Sequence, residues 1–117
     1  VYKKIKKKFS YENGDFVLRP AKTNSELVKE GQTQHICVGS AEYARKMIRG
    51  ESYILFLRKK DHQEKPFYTV EITPQYEIIQ RHGKYNKEGK EVTAVDAFLE
   101  KFRREVGHVE VNHAVGA

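Results

Sequence analysis

Three runs of strand length follow one another through short polar links: Tyr53-Ile54-Leu55-Phe56-Leu57-Arg58, Phe67-Tyr68-Thr69-Val70-Glu71-Ile72 and Tyr76-Glu77-Ile78-Ile79-Gln80-Arg81. Aromatic and β-branched residues dominate them, as on a pleated, half-buried surface. The charged turn from Lys59 to Lys65 and the break at Pro74 are too short for the crossover that parallel pairing needs. An antiparallel meander is predicted. Alternation puts Arg58, Thr69, Glu71 and Gln80 on one face if the strands pair in register. The other face then carries Tyr53, Leu55, Leu57, Tyr68, Val70, Ile72 and Ile79, which are the better core candidates.

The flanking segments complete an α+β domain. Ile5 to Tyr11 alternates loosely as a strand, Asn13-Gly14 turns a hairpin, and Phe16-Val17-Leu18-Arg19 returns before Pro20. Thr23-Asn24-Ser25-Glu26 reads as a capping box, opening a short helix from about Asn24 to Glu30 that stops at Gly31. Ser40 can cap a second short helix, Ala41 to Arg49, with Tyr43, Ala44, Met47 and Ile48 on one side and Gly50 as its stop. Val92, Val95, Phe98, Leu99, Phe102 and Val106 lie at helical spacing. That amphipathic C-terminal helix is the natural cover for the apolar sheet face, which turns the polar face toward the short helices or solvent. The tail from residue 108 to 117 is expected to fray.

The 117 residues suffice for one domain. The chain starts on valine, and the expectation is that it forms the C-terminal part of a longer protein. With 22 Lys+Arg against 16 Asp+Glu the formal charge is +6, and Lys3, Lys4, Lys6, Lys7 and Lys8 account for all but one of that excess. Such a balance favours phosphate-rich partners, nucleic acid above all. The plainer reading is a solvated, lysine-protected strand edge. A lone cysteine rules out an intramolecular disulfide and suits the cytoplasm. No run has transmembrane length, so no membrane association is expected.

Reactive groups concentrate in Gln34-His35-Ile36-Cys37-Val38-Gly39-Ser40. Cys37 just ahead of a helix start can be an activated thiol with His35 as its base, or simply a small buried hydrophobe. Arg58 and Glu71 can form a plain cross-strand ion pair worth about 0–1 kcal/mol if exposed. Alternatively, Arg58 holds an anion and Glu71 acts as base or acceptor in a polar pocket. The histidines show no spacing that completes a zinc site, and there is neither a phosphate loop nor a dinucleotide fingerprint, so no metal or cofactor is expected. For nucleic acid, Lys4, Lys6 and Lys8 near the start and the stretch Arg81 to Lys87 combine cations with aromatics. Tyr85 there can stack on a base.

The ordered set Phe16-Val17-Leu18-Arg19-Pro20, Glu26-Leu27, Glu30-Gly31 and His35-x-Cys37-Val38-Gly39 resembles the PcfJ-like proteins. The likeness continues through Tyr43, Gly50, Ile54 to Arg58, Pro66 to Glu71, Gln80, Gly83 and Asn86, from about Phe16 to Phe102. Gln34 and Ile36 depart from the family pattern, whereas His35 and Cys37 match it. The resemblance implies a bacterial protein of conjugative plasmids, related mobile elements or phages. The leading expectation is a domain acting with nucleic acid or with proteins of a transfer or phage complex. One rival is an enzyme of unknown class with a polar pocket around His35, Cys37, Arg58, Glu71 and Gln80, the first four being its catalytic candidates, while Tyr43, Thr69, Gln80, Tyr85 and Asn86, with Lys4, Lys6 and Lys8, are the binding candidates. The other is a protein-interaction module.

Overall fold

The predicted meander forms three consecutive strands, out to one edge, of a five-stranded antiparallel sheet whose strands lie in chain order. The computed structural model describes residues 2–36, 39, 41–84 and 89–108. The strands are β1 (Tyr11–Asn13), β2 (Phe16–Pro20), β3 (Tyr53–Lys59), β4 (Tyr68–Ile72) and β5 (Ile78–His82). The helices are α1 (Tyr2–Ile5), α2 (Asn24–Gln34), α3 (Ala41–Arg49) and α4 (Val92–Phe102), which continues into a π-helical turn over Arg103–Gly107. The α+β class, the hairpin, the two short helices and the C-terminal helix all stand as expected. None of the helices is long and apolar enough to cross a membrane among the described residues.

Both faces of the sheet are covered. α4 packs on the face of Phe16, Leu18, Leu55, Leu57, Val70 and Ile72, with the Phe98 ring 5.6 Å from that of Phe16. Leu55, Leu57, Val70, Ile72, Val95 and Phe102 are each 0% exposed. Each such side chain contributes about 1.5–3 kcal/mol of burial. α2 and α3 lie over the opposite face, which carries Ile54, Phe56, Arg58, Thr69, Glu71 and Gln80. Cover on both sides explains why all five central residues of β3 are buried.

Several expectations need correction. The segment before Tyr11 is not a strand. Ile5 and Phe9 are the buried residues there, and Lys6 N–H and Phe9 N–H donate to Tyr2 and Ile5 carbonyls at 2.8 and 3.0 Å. Apolar residues four apart fit a helical turn better than a strand, and the lysines fall on its outer sides. In the hairpin, Asn13 pairs with Phe16, so Gly14 and Asp15 form the loop and the positive φ, +57°, falls on Gly14.

α2 passes through Gly31 and ends at Gln34. His35 takes the left-handed conformation at φ 55°, and Ile36 N–H returns to the Gly31 carbonyl at 3.1 Å. Gly31 serves close approach instead of termination: a Cβ there would lie 2.9 Å from the Gly39 nitrogen. Ile79 is 55% exposed, because a bulge between Glu71 and Ile72 pairs those residues with Gln80 and Ile78 and passes over Ile79. Ile48 is 72% exposed, since Met47 is the residue of α3 that turns inward. Ser40 and the tail beyond His108 lie outside the described residues.

The far end of α4 is tied to β1. The Tyr11 hydroxyl donates to Glu105, and its ring meets Phe98 and Phe102 at 5.3 and 5.6 Å. Burial, then the hydrogen bond and charge of Glu105, push the Tyr11 phenol from 10.0 up to about 12. The folded state therefore holds a proton that the unfolded chain has released at that pH. This stabilisation is complete below pH 10.0 and is lost as pH climbs through about 12. Urea midpoints measured across that window should fall more steeply for the native chain than for Tyr11→Phe. Parallel curves would contradict the assignment.

Candidate functional site

β3, β4 and β5 place Arg58, Thr69, Glu71 and Gln80 on one face, since Phe56 pairs with Thr69, Ile54 with Glu71, and Glu71 with Gln80. Along β3, however, Arg58 lies four residues from the position opposite Glu71. That separation is about 13 Å at the rise of a strand. The expected Arg58–Glu71 pair therefore gives way to two separate clusters, each completed by a helix above the sheet.

In the first cluster, the Arg58 guanidinium grips Glu30 of α2 through two hydrogen bonds of 2.6 and 3.2 Å. Thr69 donates to the same carboxylate at 2.5 Å. Both charged side chains are buried, 7% and 2% exposed. The guanidinium also lies over the Phe56 ring, 4.8 Å from its centroid, while Arg19 lies 5.1 Å from that centroid. Arg19 in turn holds Glu26 at 2.8 Å. Burial raises the Glu26 carboxyl, but hydrogen bonds from Arg19 and from the Lys22 backbone outweigh it and leave the group below its ordinary range. Thr23 caps α2 as predicted, accepting from Glu26 N–H at 3.2 Å.

The second cluster centres on buried Glu71. Ser52 donates to it at 2.6 Å, Gln80 at 2.8 Å, and Lys46 of α3 lies 3.7 Å away. Gln80 also donates to the Tyr43 hydroxyl at 3.2 Å, and its carbonyl meets His82 Nε2 at 2.8 Å. Three of its members, Tyr43, Glu71 and Gln80, were expected from the sequence. Ser52, Lys46 and His82 were not, and neither was Glu30 in the first cluster. Most donors in both clusters end on an internal acceptor, an arrangement that fixes α2 and α3 to the sheet.

The remaining candidates that fall among the described residues lie apart from these clusters. His35 is exposed at the end of α2. Cys37, Tyr85 and Asn86 lie outside the described residues. Arg81 is on the α4 face, held to Asp96 by bonds of 2.6 and 2.9 Å that keep the Asp96 carboxyl below its ordinary range. No group of three or more potential metal ligands occurs among the described residues.

Lys4, Lys6 and Lys8 sit with Lys3 and Lys7 on α1 and the turn after it, all five exposed. Buried Ile5 and Phe9, 5% and 2% exposed, pin this segment to the body of the domain. Phe9 stacks on Tyr76 with ring centroids 4.6 Å apart, and the Tyr76 hydroxyl donates to the Lys8 carbonyl. Residues 2–11 include no carboxylate, and no ion pair engages any of the five lysines among the described residues. The basic patch is thus an exposed cationic surface packed onto the domain through Ile5 and Phe9.

Comparison with known proteins yields one family and one curated relative. A family model described as PcfJ-like protein matches residues 1–95, which takes in the lysine segment and the whole sheet. An uncharacterized protein of Listeria innocua serovar 6a is 39% identical over 67 residues, covering 57% of this chain and 15% of the relative. The chain therefore spans a small fraction of that relative's length. No solved structure matches.

Proposed function

The chain belongs to the PcfJ-like protein family, and on that premise we propose that it is a nucleic-acid-binding domain of a bacterial mobile-element, conjugation or phage apparatus, working in the cytoplasm. The observation that carries this reading is the ordered lysine surface. Five exposed cations within six residues, with no carboxylate among them, create a local field that attracts phosphates. The anchoring of Ile5 and Phe9 matters too, because a pre-positioned patch loses less conformational entropy on binding than a loose tail.

The buried clusters around Glu30 and Glu71 support a scaffolding role within this reading. Their carboxylates already accept two or more hydrogen bonds each, from Arg58 and Thr69 or from Ser52 and Gln80. They hold α2 and α3 in place, and α2 carries the cap next to Lys22 at the edge of the basic surface.

The test is a fluorescence-anisotropy titration of labelled DNA and RNA, single- and double-stranded, at low and at physiological salt. The expected result is binding at low salt that weakens as salt rises. Salt-insensitive behaviour, or no binding to any of the four probes, would remove the proposal.

A further inference from the structure

On the basic surface, the Tyr2 ring lines two separate clefts. The Lys6 and Lys22 ammonium groups lie 5.9 and 5.7 Å from the Tyr2 ring centroid. On the Lys6 side is a cleft of about 420 Å³ whose walls include Tyr2, Ser10, Arg19, Arg58 and Gln63. On the Lys22 side is a second cleft, of about 220 Å³, whose walls include Tyr2, Ala21, Leu27, Met47 and Ile48. Lys6, Arg19 and Arg58 give the first a cationic lining, and Ala21, Leu27, Met47 and Ile48 give the second an aliphatic one. The Tyr2 ring is part of both.

From this arrangement we infer that the Tyr2 ring and its two flanking clefts form a binding site for single-stranded nucleic acid, with adjacent nucleotides lying on either side of the ring. The inference rests on the nucleic-acid reading above and adds the strand class and the contact site. A phenol flanked by cations offers a base a stacking face and its neighbouring phosphates a counter-charge. A duplex keeps its base faces inside the stack, so only an unpaired base can use such a ring. The aliphatic cleft, with 72% exposed Ile48 at its edge, suits the face of a base.

The larger cleft suits phosphate and sugar. Arg58 lies in its wall, and the Arg58 Nε is buried with no hydrogen-bond partner among the described residues, although the other two guanidinium nitrogens are engaged. That guanidinium is closed off by Glu30, so the phosphate contacts fall to Lys6 and Arg19 in the same walls. Glu12 also borders this cleft, but Lys60 holds its carboxylate at 3.3 Å and offsets the charge.

The experiment compares labelled oligothymidylate of about ten nucleotides, a duplex of equal length and poly-glutamate, each titrated with the native chain, Tyr2→Ala, Tyr2→Phe and Lys22→Glu. The expected result is tighter binding to the single strand than to duplex or polypeptide. Tyr2→Ala should lose about 5- to 100-fold in affinity for the single strand, the range of one lost stacking contact. Tyr2→Phe keeps the ring and should stay near native, which separates stacking from folding damage. Lys22→Glu should weaken the single strand strongly.

Equal affinity for duplex and single strand, with Tyr2→Ala unchanged, would overturn this site while leaving a nucleic-acid role intact. Equal affinity for poly-glutamate would reduce the surface to unspecific charge and overturn it as well. Failure of the native chain to bind either nucleic acid would overturn both the site and the function it rests on.

Discussion

Glu30→Ala is expected to lower the unfolding free energy by about 3–5 kcal/mol, the typical cost of stranding one member of a buried ion pair. The magnitude follows from where the partners are. An exposed Arg–Glu pair would contribute about 0–1 kcal/mol, because water solvates both charges when they part. Here the two side chains are 7% and 2% exposed. Removal of the carboxylate leaves the Arg58 guanidinium buried without its counter-ion and takes the acceptor from the Thr69 hydroxyl.

A loss of that size is a large part of the ~5–15 kcal/mol that holds a domain folded. Urea unfolding followed by circular dichroism reads it as a lower midpoint with an unchanged slope. The double variant Glu30→Leu, Arg58→Met should recover much of the loss, because apolar replacement of a buried pair is often near neutral. A loss below about 1 kcal/mol for Glu30→Ala would mean that the pair behaves as an exposed one.

That pair also marks where the sequence stops being readable. Strand alternation located the polar face correctly, because a two-residue period leaves little freedom once the strands pair. Alternation fixes a face but not the offset along the strands, so it could not tell that Arg58 lies four residues along β3 from the position opposite Glu71. The partner of Arg58 comes from α2, a helix whose inner stripe is mostly polar. Leu27, Glu30, Gly31 and Gln34 are the buried residues of α2, at positions i, i+3, i+4 and i+7. That is helical spacing with one apolar member, a pattern that hydrophobic periodicity passes over. It also explains the early stop assigned at Gly31, where a glycine needed for contact with Gly39 looks like a helix terminator.

The lysine segment shows the converse. Its charge was legible from composition, but its shape was not. Ile5 and Phe9 are compatible with loose alternation and with one helical turn, and their packing on the body of the domain decides for the turn. The same packing turns a charged strand edge into a rigid patch beside Tyr2. Ile79 illustrates a local irregularity that no period can foresee, since the bulge at Glu71 and Ile72 sets its exposure.

The second large effect concerns that patch. Replacing Lys3, Lys4, Lys7 and Lys8 with alanine removes four exposed cations and leaves Lys6, Ile5 and Phe9 in place. Surface substitutions of this kind shift stability by about 0.5 kcal/mol or less each, so the variant should stay folded. Binding should respond far more. Each lysine–phosphate contact contributes about −0.7 to −0.9 to the slope of log affinity against log salt. Five such contacts predict a slope of roughly −3.5 to −4.5, so that a fourfold rise in salt weakens binding on the order of a hundredfold or more.

The measurement that bears most directly on the central claim is therefore this salt slope for a single-stranded oligonucleotide, taken for the native chain and the four-lysine variant side by side. The expected result is a steep native slope that becomes shallower by about 3 in the variant, with weaker binding at low salt. A folded variant that binds with the native slope and the native affinity would contradict it.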